Sequence, residues 1–185
     1  EVGHDTRSYE AALRRAMREA PDVILIGEIR DKDTMEQALK YAQSGHLCLS
    51  TLHATNASQT IKRIINFFSE PHYKELLMDL SLNLKAVVSQ RLLITKEGQR
   101  VPAVEVMIAT PYVRELIEKG EIAELQEAIE KGGSGTTGMQ SMNTALLNVY
   151  KDHNVDLQEV LHHSDSPHDL LLQIRSELGH TEHNP

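Results

Sequence analysis

The chain reads first as an alternation of short apolar runs and helix-spaced apolar stripes. Val23-Ile24-Leu25-Ile26 is an unbroken apolar run of strand length between Pro21 and Gly27, and such a run predicts a central strand covered on both faces. Upstream, Tyr9, Leu13, Ala16, Met17 and Ala20 recur at helical spacing after Ser8, which predicts a helix ending before Pro21. Downstream, Asp33 with Glu36 has the spacing of a capping box, and Gly45 closes the helix it opens. His46 to Thr51 predicts a second buried strand, and Asn56 with Gln59 opens a helix with Ile61, Ile64, Ile65 and Phe68 on its apolar face. Tyr73 to Leu84 predicts another amphipathic helix; 87–94 and 102–108 predict two strands around the Glu97-Gly98 turn.

Beyond Ala109 the pattern is helical. Thr110 and Pro111 start a helix that Gly120 stops, and a second runs from about Glu121 to Lys131. Gly132 to Gly138 is a glycine-rich hinge. Ser141 caps a helix to Tyr150, Asp156 with Glu159 caps the next, and Ser166-Pro167 begins a last one closed by Gly179. The expected architecture is α/β, a mixed sheet flanked by helices over residues 1–109, followed by a helical subdomain over 110–185.

Composition narrows the function classes. At 185 residues and 40% hydrophobic content the chain can fill one sizeable core or one core and a helical appendage. Nineteen basic against 27 acidic residues, net charge −8, argue against a nucleic-acid partner. A single cysteine, Cys48, excludes a disulfide framework and favours a buried inert thiol in a reduced compartment. No apolar run is long enough to span a membrane, and no signal peptide is present.

Candidate chemistry gathers at strand ends. Glu28 follows the first strand at its carboxyl end, where open α/β sheets hold ligands, and this is the placement of a Walker B carboxylate. The alternative is a solvated glutamate beside an Arg30/Asp31 surface pair. Thr51-Leu52-His53 ends the second strand on the same rim. Arg14 and Arg18 lie four apart on one helix face, either facing a ligand or forming a solvated ladder with Glu10. Gly133 and Gly138 have P-loop spacing, but Met139-Gln140 follow where lysine and a hydroxyl residue belong, so the P-loop reading fails. His162, His163, Asp165 and His168 fit no zinc spacing, since adjacent helical histidines diverge by about 100°.

Arg18, two arbitrary residues, Pro21-Asp22, the apolar strand, Gly27-Glu28, Ile29 and Arg30-Asp31 together resemble the signature of the secretion ATPase superfamily. Thr51-Leu52-His53 is similar to the His box of that superfamily. The segment Pro111 to Lys119 resembles the C-terminal helix signature of type IV pilus retraction ATPases, the PilT/PilU family. Arg114, Leu116 and Ile117 match it and Val113 is conservative; Tyr112, Glu115, Glu118 and Lys119 depart. These departures, with Gly45 to Leu49, Ile64 to Phe68, Leu77 to Leu84 and Asp165-Ser166-Pro167, resemble the accessory retraction ATPases more than the main motors. One cysteine rules out the four-cysteine zinc module of extension and type II secretion ATPases. Ala20 replaces an acidic residue common in relatives.

The resemblance implies the second half of a RecA-like P-loop ATPase core, with Walker A and the catalytic glutamate expected before Glu1. It implies ATP and Mg²⁺ as cofactors, and Glu28 as the Walker B residue holding Mg²⁺ directly or through water. His53 would sense the γ-phosphate or couple it to the interdomain surface, a structural histidine being the alternative, and Arg14 and Arg18 would lie near nucleotide or a neighbouring subunit. It further implies a hexameric ring at the cytoplasmic face of the inner membrane. The implied partners are the pilus platform protein and a second retraction ATPase. Alone, the 185 residues are expected to be inactive. The rival expectation is a docking module for the platform or a partner ATPase that does no chemistry.

Overall fold

The computed structural model of the chain describes residues 3–8, 11–12, 15, 19, 21–133, 135 and 137–179. Of the helix expected after Ser8, the start is seen: the Ala11 N–H donates to Ser8 Oγ at 3.1 Å. Arg14 and Arg18 lie outside the described residues.

Strand β1 (Val23–Glu28) pairs in parallel with β2 (Leu47–Thr51), and helix α1 (Lys32–Gln43) makes the crossover between them. The register runs from Val23 opposite Leu47 to Ile26 opposite Ser50, then slips so that Glu28 faces Thr51. Gly27 is the extra residue of this bulge. Bulges next to functional sites re-aim a side chain, and this one turns Glu28 onto the end of the neighbouring strand.

Two expectations change here. Asp31, not Asp33, caps α1: its carboxylate accepts from the Thr34 N–H at 2.8 Å. Glu36 pairs with Lys32 at 3.4 Å instead of closing a capping box. Nor is β1 covered on both faces. Ile24 and Ile26 are buried, whereas Val23, Leu25, Leu47 and Leu49 form an exposed apolar face, with Leu25 76% accessible. Among the described residues, helices cover one side of the pair only.

Helix α2 (Ala57–Ile65) starts as expected, with Asn56 Oδ1 accepting from the Gln59 N–H at 2.8 Å. A short 3₁₀ turn (Glu70–His72) leads into α3 (Tyr73–Asn83). Strands β3 (Ala86–Ile94) and β4 (Arg100–Ile108) form an antiparallel hairpin in unbroken register, turning at Gly98 with φ 78°. Helix α4 (Pro111–Lys119) has Thr110 as its cap and ends on left-handed Gly120. A 3₁₀ turn (Ile122–Glu124) precedes α5 (Leu125–Gly133), where a single helix from Glu121 was expected. Helices α6 (Met142–Asp152), α7 (Leu157–His162) and α8 (Pro167–Gly179) complete the described residues. Asp156 precedes α7 without a side-chain capping bond.

The hairpin joins two hydrophobic cores. Its root, through Val87 and Met107, enters the core of β1, α1 to α5 and Met139; its outer part, through Leu93 and Ala103, enters the core of α6, α7 and α8. Alternate residues of both strands face inward, and among them are two ionisable groups, Arg91 and Glu105. Ionisable groups on an inner face need partners, because desolvating a charge is costly unless it is paired and hydrogen-bonded.

Candidate active site at the ends of the parallel strands

Glu28 and His53 meet at the carboxyl ends of β1 and β2. His53 Nε2 lies 2.8 Å from Glu28 Oε1, and Arg30 reaches the other oxygen, Oε2, through Nε at 2.7 Å and Nη2 at 2.6 Å. Arg30 therefore pairs with Glu28 and not with Asp31, which is engaged in capping α1. The Arg30 hydrogen bond, backed by the charges of Arg30, His53 and Arg63, holds the Glu28 carboxyl below the usual carboxylate range. The backbone beneath is tied across the strands: Thr51 Oγ1 donates to the Gly27 carbonyl at 2.7 Å, and the Ile29 N–H donates to the Thr51 carbonyl at 3.0 Å.

A carboxylate kept ionised on an open rim beside an imidazole suits phosphoryl chemistry, where charge neutralisation and alignment matter more than covalent steps. It also suits Mg²⁺, which keeps several waters and uses one or two carboxylates. Glu28, with its side chain 20% accessible, fits that mode. No group of three or more His, Cys, Asp and Glu side chains gathers as a metal cage among the described residues.

The loop from Leu52 to Asn56 carries His53 and is held at its far end by groups that sequence reasoning passed over. The Ala57 N–H donates to Glu105 Oε1 at 2.7 Å, while Gln126 Nε2 reaches Glu105 Oε2 at 3.3 Å. Arg91 donates through Nη2 to the Thr55 carbonyl at 3.2 Å and to both oxygens of Asp165, and through Nη1 to the His163 carbonyl. Asn56 Nδ2 donates to Asp165 Oδ2 at 2.9 Å. For Arg91 and Glu105 the signal available in the sequence was a polar residue at an inward position of a hairpin.

A parallel strand pair with a crossover helix and a Glu/His couple at its carboxyl rim is an α/β arrangement of the open-sheet kind. The sequence profile of the family described as Type II/IV secretion system protein matches residues 3–165, and the chain belongs to that family. Within it the chain is of the PilT/PilU type. It is 46% identical over 176 residues to the type IV pilus ATPase PilU of Pseudomonas aeruginosa, covering 95% of this chain and 46% of that protein. It is 43% identical over 146 residues to the type IV pilus retraction ATPase PilT of the same organism, covering 79% and 42%. The crystal structure of the pilus retraction motor PilT with bound ADP superposes with a TM-score of 0.81 at 37% identity, covering 93% of this chain and 48% of that one. The chain thus spans about half the length of the relatives it matches.

Proposed function

We propose that the chain is the C-terminal part of an ATPase that powers or assists type IV pilus retraction, working as a hexameric ring with ATP and Mg²⁺. The observation that carries this reading is the Glu28–His53 couple at the ends of paired parallel strands. The relatives support it: two bear the name of pilus ATPases, and the PilT structure holds ADP.

In this reading residues 1–109 belong to a RecA-like domain and 110–185 to a helical subdomain. Glu28 is the Walker B residue. It would hold Mg²⁺ directly or through its waters, for which the carboxyl has to be ionised, a state that Arg30 and His53 favour. His53, with a side chain 77% accessible, faces outward where a γ-phosphate can displace it from Glu28 and so be sensed. Arg14 and Arg18 belong near nucleotide or a neighbouring subunit. The exposed face of Val23, Leu25, Leu47 and Leu49 supports a further part of the domain packing there, and that part supplies the phosphate-binding loop. The 185 residues alone are accordingly inactive. The platform protein of the pilus machine at the inner membrane, and a second retraction ATPase, are the proposed partners.

The test is the Mg-ATPase rate of the full-length protein and its Glu28→Ala variant, paired with pilus retraction in cells. Loss of both, by about a hundredfold or more in turnover, supports a force-generating subunit. Loss of turnover with retraction intact makes the protein accessory to another motor. Turnover by the isolated 185 residues that Glu28→Ala abolishes refutes their dependence on the rest of the domain.

A further inference from the structure

We propose that Arg91 and Asp165 are positioning residues for His53, so that the C-terminal helices set the geometry of the site on the strand rim. The inference rests on the role given to His53 above.

The imidazole of His53 bonds to Glu28 and is otherwise largely solvated, so its place is decided by the backbone that carries it. That backbone is short. It leaves β2 at Thr51, which is tied to Gly27, and after three intervening residues reaches Thr55, where the second anchor begins. The inward face of the hairpin grips this second anchor by both polarities of the main chain. Arg91 takes the Thr55 carbonyl, and Glu105 takes the Ala57 N–H.

Glu105 is fully buried and is also held by Gln126. Arg91 has no such support from its own strand neighbours; it pairs across the hairpin with Ala103, which offers no charge. Its aim comes from Asp165, whose two oxygens accept from Nη2 at 2.7 and 2.8 Å, and from the His163 carbonyl. The guanidinium side chain is 13% accessible, so little water can replace these partners. Asp165 adds a third bond, from Asn56 Nδ2, and Asn56 is itself the cap of α2.

One carboxylate between α7 and α8 therefore orients both the arginine that holds Thr55 and the asparagine that starts α2. These bonds are charge-assisted and so stronger than neutral ones, and the planar guanidinium, reaching Asp165 and Thr55 through Nη2 and His163 through Nη1, fixes the three groups relative to one another. A small displacement of a positioned group can lower turnover strongly even when the altered residue is remote. A shift of the C-terminal helices, as when a partner or neighbouring subunit pulls on them, would pass through Asp165 and Arg91 to His53.

The test uses the full-length protein and two variants, Asp165→Ala and Arg91→Lys. Amide hydrogen exchange of residues 53–57 without nucleotide is expected to speed up about tenfold or more in each. Turnover is expected to fall about tenfold with KM for ATP little changed. Combined with His53→Ala, neither variant should lower turnover further, because the positioned group is already gone. Unchanged exchange overturns the inference, as does a loss that multiplies with that of His53→Ala. If His53→Ala leaves turnover intact while exchange quickens, the anchoring of the loop stands and the role assigned to His53 fails. Arg91→Lys keeps the charge and reads the fork geometry alone, so it decides the matter should Asp165→Ala fold poorly.

Discussion

Glu105→Ala removes the acceptor that holds the first residue of α2, and its cost can be worked from the structure. The Ala57 N–H sits in a fully buried residue and loses its only acceptor in the bond at 2.7 Å; a buried donor left unsatisfied costs about 1–3 kcal/mol. Loss of the buried side-chain methylene adds about 1 kcal/mol. Gln126 is half-buried and turns to water at little cost. The sum is about 2–4 kcal/mol, a large share of the ~5–15 kcal/mol that holds a domain of ordinary stability. Glu105→Gln keeps an acceptor for Ala57 and should cost about 1 kcal/mol or less. Urea titration followed by circular dichroism, with linear extrapolation, measures both. A Gln variant as costly as the Ala variant, or both within about 0.5 kcal/mol of the parent chain, would refute the claim that this bond holds α2.

Arg30→Ala should raise the Glu28 pKa toward the ordinary carboxylate value, read by carboxyl ¹³C titration, because the Arg30 bond is the largest cause of its depression. The sign follows: with the folded-state pKa lowered, this pairing adds stability above the unfolded pKa and loses it as pH falls through the folded value. The Arg30→Ala chain should therefore show a weaker acid dependence, and an unshifted titration would mean that His53 alone holds the carboxylate. Leu25→Ser should cost less than about 0.5 kcal/mol in the 185-residue chain, where the side chain is exposed. In the full-length protein it should cost about 2 kcal/mol or more; equal melting shifts in both would show that nothing packs on that face.

Where one local rule decided the outcome, the sequence was a good guide. Asn56 with Gln59, Thr110 with Pro111, and the glycines at 98 and 120 act where their chemistry predicts. Where two local rules competed, the guide faltered: Asp31 and Asp33 both suit a cap, and the capping-box spacing of Asp33 lost because Glu36 had Lys32 one turn away. The apolar run of β1 reads as doubly covered because periodicity reports what a strand can bury, not what packs on it among the described residues. Glu28 and His53 were legible from their positions at strand ends. Their supports were not, since Glu105, Arg91 and Asp165 act on residues 36 to 109 positions away.

The bond from Asn56 to Asp165 spans 109 residues of sequence, and that span has a consequence for biosynthesis. Both strands of the rim and the loop that follows the second leave the ribosome long before Asp165. At about 5–20 residues per second, the delay is on the order of five to twenty seconds. During that interval the loop after the second strand is untied, so a product truncated before Asp165 would carry Glu28 and His53 without the Asn56–Asp165 bond.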